Sequence, residues 1–172
     1  MNLELKKGGY VSDSAGLLIS ILLRYPEVGM INYDPEMKIL RFTFVISEIS
    51  TETEITDFKI GLNSCLRTYY FLKNENTKVN KIKYSVCENF TLLEIKRDVQ
   101  TLSSQEIALI ITVVKENFPD SLIIESSENI KKEDLADQEK LIGQMLESMR
   151  STLPKIKLLA FREKGRVLVF NK

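Results

Sequence analysis

The residues best suited to binding chemistry are the basic side chains in the last stretch of the chain. Between Lys155 and Lys172 there are six bases and one acid. Guanidinium and ammonium groups at this density suit phosphate or carboxylate ligands. Phe161 and Phe170 lie among them and could offer stacking faces to single-stranded nucleic acid. The bases predicted to bind are Lys157, Arg162, Lys164 and Arg166.

Tyr70 is the other binding candidate. It lies in a predicted helix beside Lys59, Asn63 and Arg67, on the side expected to face water. A tyrosine exposed there could contact a partner, although single exposed aromatic residues are common. The basic stretch also has structural explanations. It could be a solvated hairpin face with both phenylalanines in the core, or it could dock against the acidic segment 116–140.

No combination of residues indicates catalysis. The chain contains no histidine, so it cannot build a Ser-His-Asp or Cys-His nucleophile pair. It also lacks the commonest transition-metal ligand. The acidic residues Glu48, Glu52, Glu54 and Asp57 do not have the spacing of a calcium loop, and acids at a helix start simply favour the helix dipole. We therefore expect no enzyme activity, no catalytic residues, no metal and no cofactor.

Composition places further bounds on the class of protein. The 24 bases and 24 acids argue against a wholesale nucleic-acid binder, although a local basic patch is compatible with them. The two cysteines, Cys65 and Cys87, are too few for a disulfide framework and are expected to be small buried residues. Residues 1–10 do not resemble a signal peptide, and no apolar stretch is long enough to cross a bilayer. We expect a cytoplasmic protein that does not bind membranes.

The order of the predicted elements indicates the fold class. Residues 37–125 follow the order strand, helix, strand, strand, helix, strand, which is that of a ferredoxin-like βαββαβ sandwich, an antiparallel sheet with helices on one face. The predicted elements are strand 37–46, helix 54–74, strands 79–86 and 90–97, a helix capped by Ser103 that ends before Pro119, and strand 122–125. Residues 1–36 add a helix and a strand, and residues 126–172 add a helix and the basic hairpin. The whole chain, 1–172, is predicted to be a single α+β domain.

A repeated unit is a rival to this organisation. Predicted hairpins at 28–46, 79–97 and 156–171 each follow a helix. The residue identities among these three segments are too few to establish a duplication. The last hairpin is too small to be stable alone, so it must pack on the sheet, extend its edge or pair with another chain.

Since this scaffold carries no chemistry of its own, function must be inferred from sites. The missing catalytic residues and the zero net charge favour a non-enzymatic protein–protein interaction module that self-associates. Such a module predicts an exposed apolar patch or an edge strand able to pair. The basic segment 155–172 leaves open a nucleic-acid- or ribosome-associated factor whose binding is salt-sensitive. A third alternative is a ligand-sensing dimer, which requires a pocket with convergent polar groups.

Overall fold

Helices and pairs of strands alternate along the chain. The computed structural model describes residues 13–77, 80–125 and 132–171, and within these ranges it has four helices and six strands. The helices are α1 (Asp13–Arg24), α2 (Glu52–Lys73), α3 (Ser104–Asn117) and α4 (Lys132–Thr152). The strands are β1 (Met30–Asp34), β2 (Ile39–Ile46), β3 (Asn80–Cys87), β4 (Phe90–Asp98), β5 (Leu158–Glu163) and β6 (Arg166–Asn171). The predicted α+β class and the three hairpins are confirmed.

The six strands form one open sheet in the order β3-β4-β2-β1-β5-β6, with every neighbouring pair antiparallel. Because β4 lies between β2 and β3, the segment β2–α2–β3 is a split βαβ unit. The predicted strand 122–125 is reduced to one antiparallel bridge between Leu122 and Ile46. The position beside β2 is taken mainly by β1, an element that sequence analysis treated as an extension.

The alternation of side chains gives the sheet two different faces. Leu40, Phe42, Phe44 and Ile46 of β2 are buried in the core with apolar side chains of the helices. Their neighbours on β2 point to the opposite face, because successive side chains of a strand alternate. On that opposite face Ile39 is shielded from water but lies outside the core cluster. We call this second surface the open face.

Local capping fixes where two helices begin. Thr51 and Glu54 form a reciprocal capping box at the start of α2, with Glu54 Oε2 accepting from the Thr51 N–H at 2.7 Å. The sequence predicts that this helix begins at Glu54, whereas it begins at Glu52. Ser103 caps α3 as predicted, and its hydroxyl accepts from the Glu106 N–H at 3.2 Å. The Glu106 carboxylate does not close a second capping box, because it binds Arg97 instead.

Candidate functional site on the open sheet face

The open face is divided into two chemically different ends. At the β3–β4–β2 end the long side chains other than Glu94 are cations, and Lys157 joins them from the segment that leads into β5. We call this the basic end, formed by Arg41, Lys81, Lys83, Lys96 and Lys157. At Met30 of β1 and along the middle of β5 and β6 the outward side chains are apolar. We call this the apolar end, formed by Met30, Leu159, Phe161, Leu168 and Phe170.

Strand register places like charges next to each other at the basic end. Lys81 is directly opposite Lys96, and Lys96 is directly opposite Arg41. Like charges in directly opposed positions of an antiparallel pair are destabilising. Lys83 does oppose an acid, Glu94, but Lys81 opposes another lysine. Among the described residues, no ion pair forms on Lys81 or Lys96.

The basic end surrounds a cavity of about 230 Å³, lined by its five cations together with Asn32, Tyr33, Asp34, Met37 and Ile39. The single lining acid is already engaged, since Asp34 Oδ1 accepts from the backbone N–H groups of Glu36 at 2.9 Å and Met37 at 3.2 Å. Glu94, outside the lining, approaches Arg41 only to 3.8 Å. The electrostatic potential of this cavity is consequently set by its cations.

Two polar groups of the cavity wall are buried without a partner. Asn32 is 9% exposed, and its Oδ1 makes no hydrogen bond. The Nε of Arg41 is likewise buried and unbonded. Buried polar groups are normally hydrogen-bonded, because leaving one unsatisfied costs about 1–3 kcal/mol. Asn32 lies directly opposite Arg41 in the β1–β2 pair, so the two residues with unsatisfied groups are neighbours in the cavity wall.

The apolar end is built around a stacked pair of rings. Phe161 and Phe170 lie with their centroids 5.5 Å apart and their planes within 11°. They come from diagonal positions of the β5–β6 hairpin, where Leu159 opposes Phe170 and Phe161 opposes Leu168. Phe170 is 39% exposed. The alternative prediction that both phenylalanines lie in the core is wrong, because neither belongs to the core cluster.

The structure separates the four basic residues predicted to bind. Lys157 lines the cavity at the basic end. Lys164 and Arg166 are exposed at the hairpin tip, where Lys164 adopts a left-handed turn conformation with φ of 49°. Arg162 lies on the other face and is only 8% exposed. The acidic segment 116–140 is the predicted docking partner of the basic stretch. One of its acids, Glu139, instead pairs with Arg24 of α1 at 2.8 Å.

Arg162 is a structural residue, which corrects its assignment as a surface contact. Its guanidinium donates to carbonyl oxygens at the end of α1 and in the loop that follows, including those of Leu22 and Val28. A cation at this position satisfies carbonyls that the helix leaves unbonded and interacts favourably with the helix dipole. Burial lowers the pKa of Arg162, while the charges of Glu125 and Glu27 oppose that shift. Arg162 thus connects β5 to α1.

Tyr70 is also buried, contrary to the prediction that it faces water. It is 5% exposed, and its hydroxyl donates to Glu106 of α3 and accepts from Arg97 of β4. Burial raises the pKa of Tyr70, and the hydrogen bond to Glu106 adds to the shift. Part of the residue still lines a cavity of about 560 Å³ between the end of α2 and β3. Its hydroxyl, however, serves the interior of the protein.

Arg97 is the centre of this interior network. It is fully buried, as is Glu106, which accepts from both Nε and Nη2 of Arg97. Asp98 accepts from Nη1 at 2.6 Å. Burial alone lowers the pKa of Arg97, but the hydrogen bonds and charge of Glu106 outweigh it, so the pKa is raised overall. The cluster holds α2, β4 and α3 together and is too enclosed to meet a ligand.

Several other expectations concern sites of different kinds. Cys65 and Cys87 are free and exposed, so the prediction that they are buried is wrong. In the described ranges, no group of three potential metal-binding side chains comes together. None of the helices in those ranges is both long and apolar enough to cross a membrane.

No protein-family model, curated protein or solved structure matches the chain.

Proposed function

We propose that this chain is a non-enzymatic interaction module that forms a homodimer by pairing the β6 strands of two copies. One observation carries the proposal. β6 lies at the edge of the sheet, and its residues from Val167 to Phe170 are all apolar. Natural proteins usually protect such an edge with charge, proline or a covering element. Within the described part of the chain, no strand pairs with the free side of β6.

The hairpin turn determines which backbone groups of β6 are free. Lys164 and Gly165 form a two-residue turn with positive φ at both positions, as in a type I′ hairpin. The residues that flank such a turn, Glu163 and Arg166, form a hydrogen-bonded pair, and bonded pairs recur at every second residue. The N–H and C=O groups of Val167 and Val169 therefore point away from β5, toward the free edge.

An antiparallel pairing centred on Leu168 would satisfy these groups. Val167 would exchange hydrogen bonds with Val169 of the partner subunit, and Leu168 would face the partner's Leu168. Arg166 would oppose Phe170 of the partner subunit, so the two arginines would lie at opposite ends of the paired segment and would not repel each other. The sequence of β6 is thus complementary to itself in both shape and charge.

The other edge of the sheet is different in this respect. β3 carries Lys81 and Lys83 on one face, and lysines on an edge strand oppose pairing with a further strand. Self-pairing of β3 about Lys83 would also bring two like charges into contact. The proposal therefore commits to β6 and excludes β3.

Sedimentation velocity over a range of concentrations tests the proposal. We expect a species of twice the 19.8 kDa chain mass, and loss of that species in Val169→Pro. This change removes an outward N–H of β6 without removing a β5–β6 hydrogen bond, and proline is tolerated at such edge positions. Val86→Pro is the control, because the N–H of Val86 likewise points away from the neighbouring strand, toward the free edge of β3. A monomer at all concentrations, or equal losses in both variants, would contradict the proposal.

We also propose a ferredoxin-like core and a cytoplasmic location for this chain. We regard residues 37–125 as a ferredoxin-like unit to which residues 1–36 and the helix and hairpin of residues 126–172 are additions. The position of β4 between β2 and β3 supports this view. The two free thiols support a reducing, cytoplasmic environment. The alternative of a nucleic-acid- or ribosome-associated factor that uses the basic segment 155–172 would be tested by salt-sensitive RNA binding.

A further inference from the structure

We propose that the cavity at the basic end binds a small molecule that carries two or more adjacent phosphate groups. The site lies on β1, β2, β3 and β4 and on the segment before β5, so it is separate from the β6 edge and does not depend on dimerisation. The ligand is defined by its chemistry, a pyrophosphate unit, which is found both in nucleoside diphosphates and in inorganic pyrophosphate.

The charges that line the cavity favour a ligand with several negative charges. Five bases and one acid line a space of about 230 Å³, and the acid is already hydrogen-bonded to two backbone N–H groups. The row formed by Lys81, Lys96 and Arg41 is neutralised only in part, by the 3.8 Å contact of Arg41 with Glu94, and it costs stability because each neighbouring pair of cations is directly opposed. A ligand with several negative charges would relieve all of these repulsions together, whereas a monoanion would not.

Two polar groups of the cavity wall that lack a hydrogen-bond partner also favour a phosphate ligand. The Nε of Arg41 is a buried donor with no partner, and guanidinium groups bind phosphate oxygens with directional, charge-assisted hydrogen bonds. Asn32, opposite Arg41, is more than nine-tenths buried and has an unbonded amide oxygen. Rotating that amide exchanges its oxygen and nitrogen, so it can present a donor to a phosphate oxygen or accept from a hydroxyl of the ligand.

The size and position of the cavity favour a compact ligand over a polymer. Its volume is below the range of about 300–1,000 Å³ that is common for drug-sized ligands, which suits a pyrophosphate group with little else enclosed. Along the row of residues that crosses the sheet, the cations end at Asn32 and are followed by Leu159 and Phe170. A nucleic-acid backbone would need a track of cations that continues across the surface.

Titration calorimetry of the full chain at low salt, with inorganic pyrophosphate as the probe, tests the site. We expect saturable binding of one pyrophosphate per chain that Lys96→Gln weakens by about tenfold or more, the usual value of one charge-assisted hydrogen bond. Lys140→Gln on the exposed surface of α4 is the matched control, because it changes the net charge equally and should leave the affinity unchanged. Inorganic phosphate should bind more weakly than pyrophosphate.

Thermal unfolding provides a second readout that does not depend on detecting heat. Without ligand, Lys96→Gln should melt at a higher temperature than the parent chain, because it removes two repulsive pairs. With pyrophosphate, the parent should gain more in melting temperature than the variant does. The proposal is overturned if pyrophosphate does not bind, if Lys140→Gln weakens binding as much as Lys96→Gln, or if single-stranded RNA binds and pyrophosphate fails to displace it.

Discussion

The buried Arg97–Glu106 pair gives the sharpest prediction about stability, through the substitution Glu106→Gln. This change keeps the shape of the side chain and removes its negative charge. Both partners are fully buried, and among the described residues Arg97 would keep its ion pair with Asp98. Removing one partner of a buried ion pair costs about 3–5 kcal/mol. Because Asp98 remains, we expect a loss of about 3 kcal/mol, a large share of the ~5–15 kcal/mol typical of a folded domain.

Denaturant unfolding followed by circular dichroism measures this loss. For a chain of this length, 3 kcal/mol corresponds to a fall in melting temperature of roughly 6–12 °C. Glu94→Gln is the control, because it breaks the partly exposed contact with Arg41 at 3.8 Å and should cost less than about 1 kcal/mol. Equal, small losses in both variants would refute the claim that the buried charge matters.

The double substitution Arg97→Met with Glu106→Leu separates charge burial from packing. Replacing a whole buried ion pair by apolar groups of similar volume is often neutral or stabilising. Because Asp98 would lose its ion pair with Arg97 while keeping its hydrogen bonds from Thr101, we expect the double variant to lose stability, but by less than the sum of the two single losses. A double variant that lost the sum of the two single losses would show that the pair acts as two independent contacts.

Three further predictions concern other parts of the fold. Arg162→Met should lower the free energy of unfolding by roughly 2–3 kcal/mol, because it leaves the carbonyls at the end of α1 unbonded. Denaturant unfolding measures this loss, with the exposed Lys164→Met as the control. A loss no greater than that of the control would contradict the structural role of Arg162. Thr51→Ala should cost about 1 kcal/mol by removing the cap of α2, and Thr68→Ala, within the same helix, should cost less. Burial and the charge of Glu139 raise the pKa of Tyr25 to about 12. The folded state thus holds this proton more tightly than the unfolded chain, so stability should be intact below pH 10, fall between about pH 10 and 12, and fall less steeply in Tyr25→Phe.

Periodicity predicted most elements because buried strands and helices leave regular traces in the sequence. The alternation of Leu40, Phe42, Phe44 and Ile46 identified β2 and its buried face. The capping motif at Ser103 distinguished a helix from a strand over a β-branched run. These signals are local, and they can be read without knowledge of the partners of each element.

The errors concern partners that are distant in sequence. Tyr70 continues a buried stripe with Phe58, Leu62 and Leu66 at intervals of four, but its hydroxyl is satisfied by Glu106 and Arg97, which no local pattern reveals. Arg97 and Arg162 both occupy inward positions of their strands. An inward arginine in each alternating pattern was the available signal that these cations are buried.

The candidate site itself depends on sheet order, which periodicity does not determine. Alternation along β3 and β4 predicts that Lys81 and Lys96 point outward, but the opposition of Lys96 to both Lys81 and Arg41 depends on the register of three strands. The place of β1 beside β2 likewise depends on long-range pairing. Asn32 carried no signal in the sequence, because only its burial opposite Arg41 makes it unusual.

The central claim, pairing of two β6 strands about Leu168, can be tested most directly by disulfide trapping. Leu168→Cys, made with Cys65→Ser and Cys87→Ser, would place two thiols at a non-hydrogen-bonded antiparallel pair, where Cα atoms lie about 4.5 Å apart, within disulfide range. Tyr84→Cys in the same background is the control at the β3 edge. Under mild oxidation, the chain with Leu168→Cys should form a covalent dimer rapidly, and the chain with Tyr84→Cys should not. Equal trapping at both positions, or none at Leu168→Cys, would contradict it.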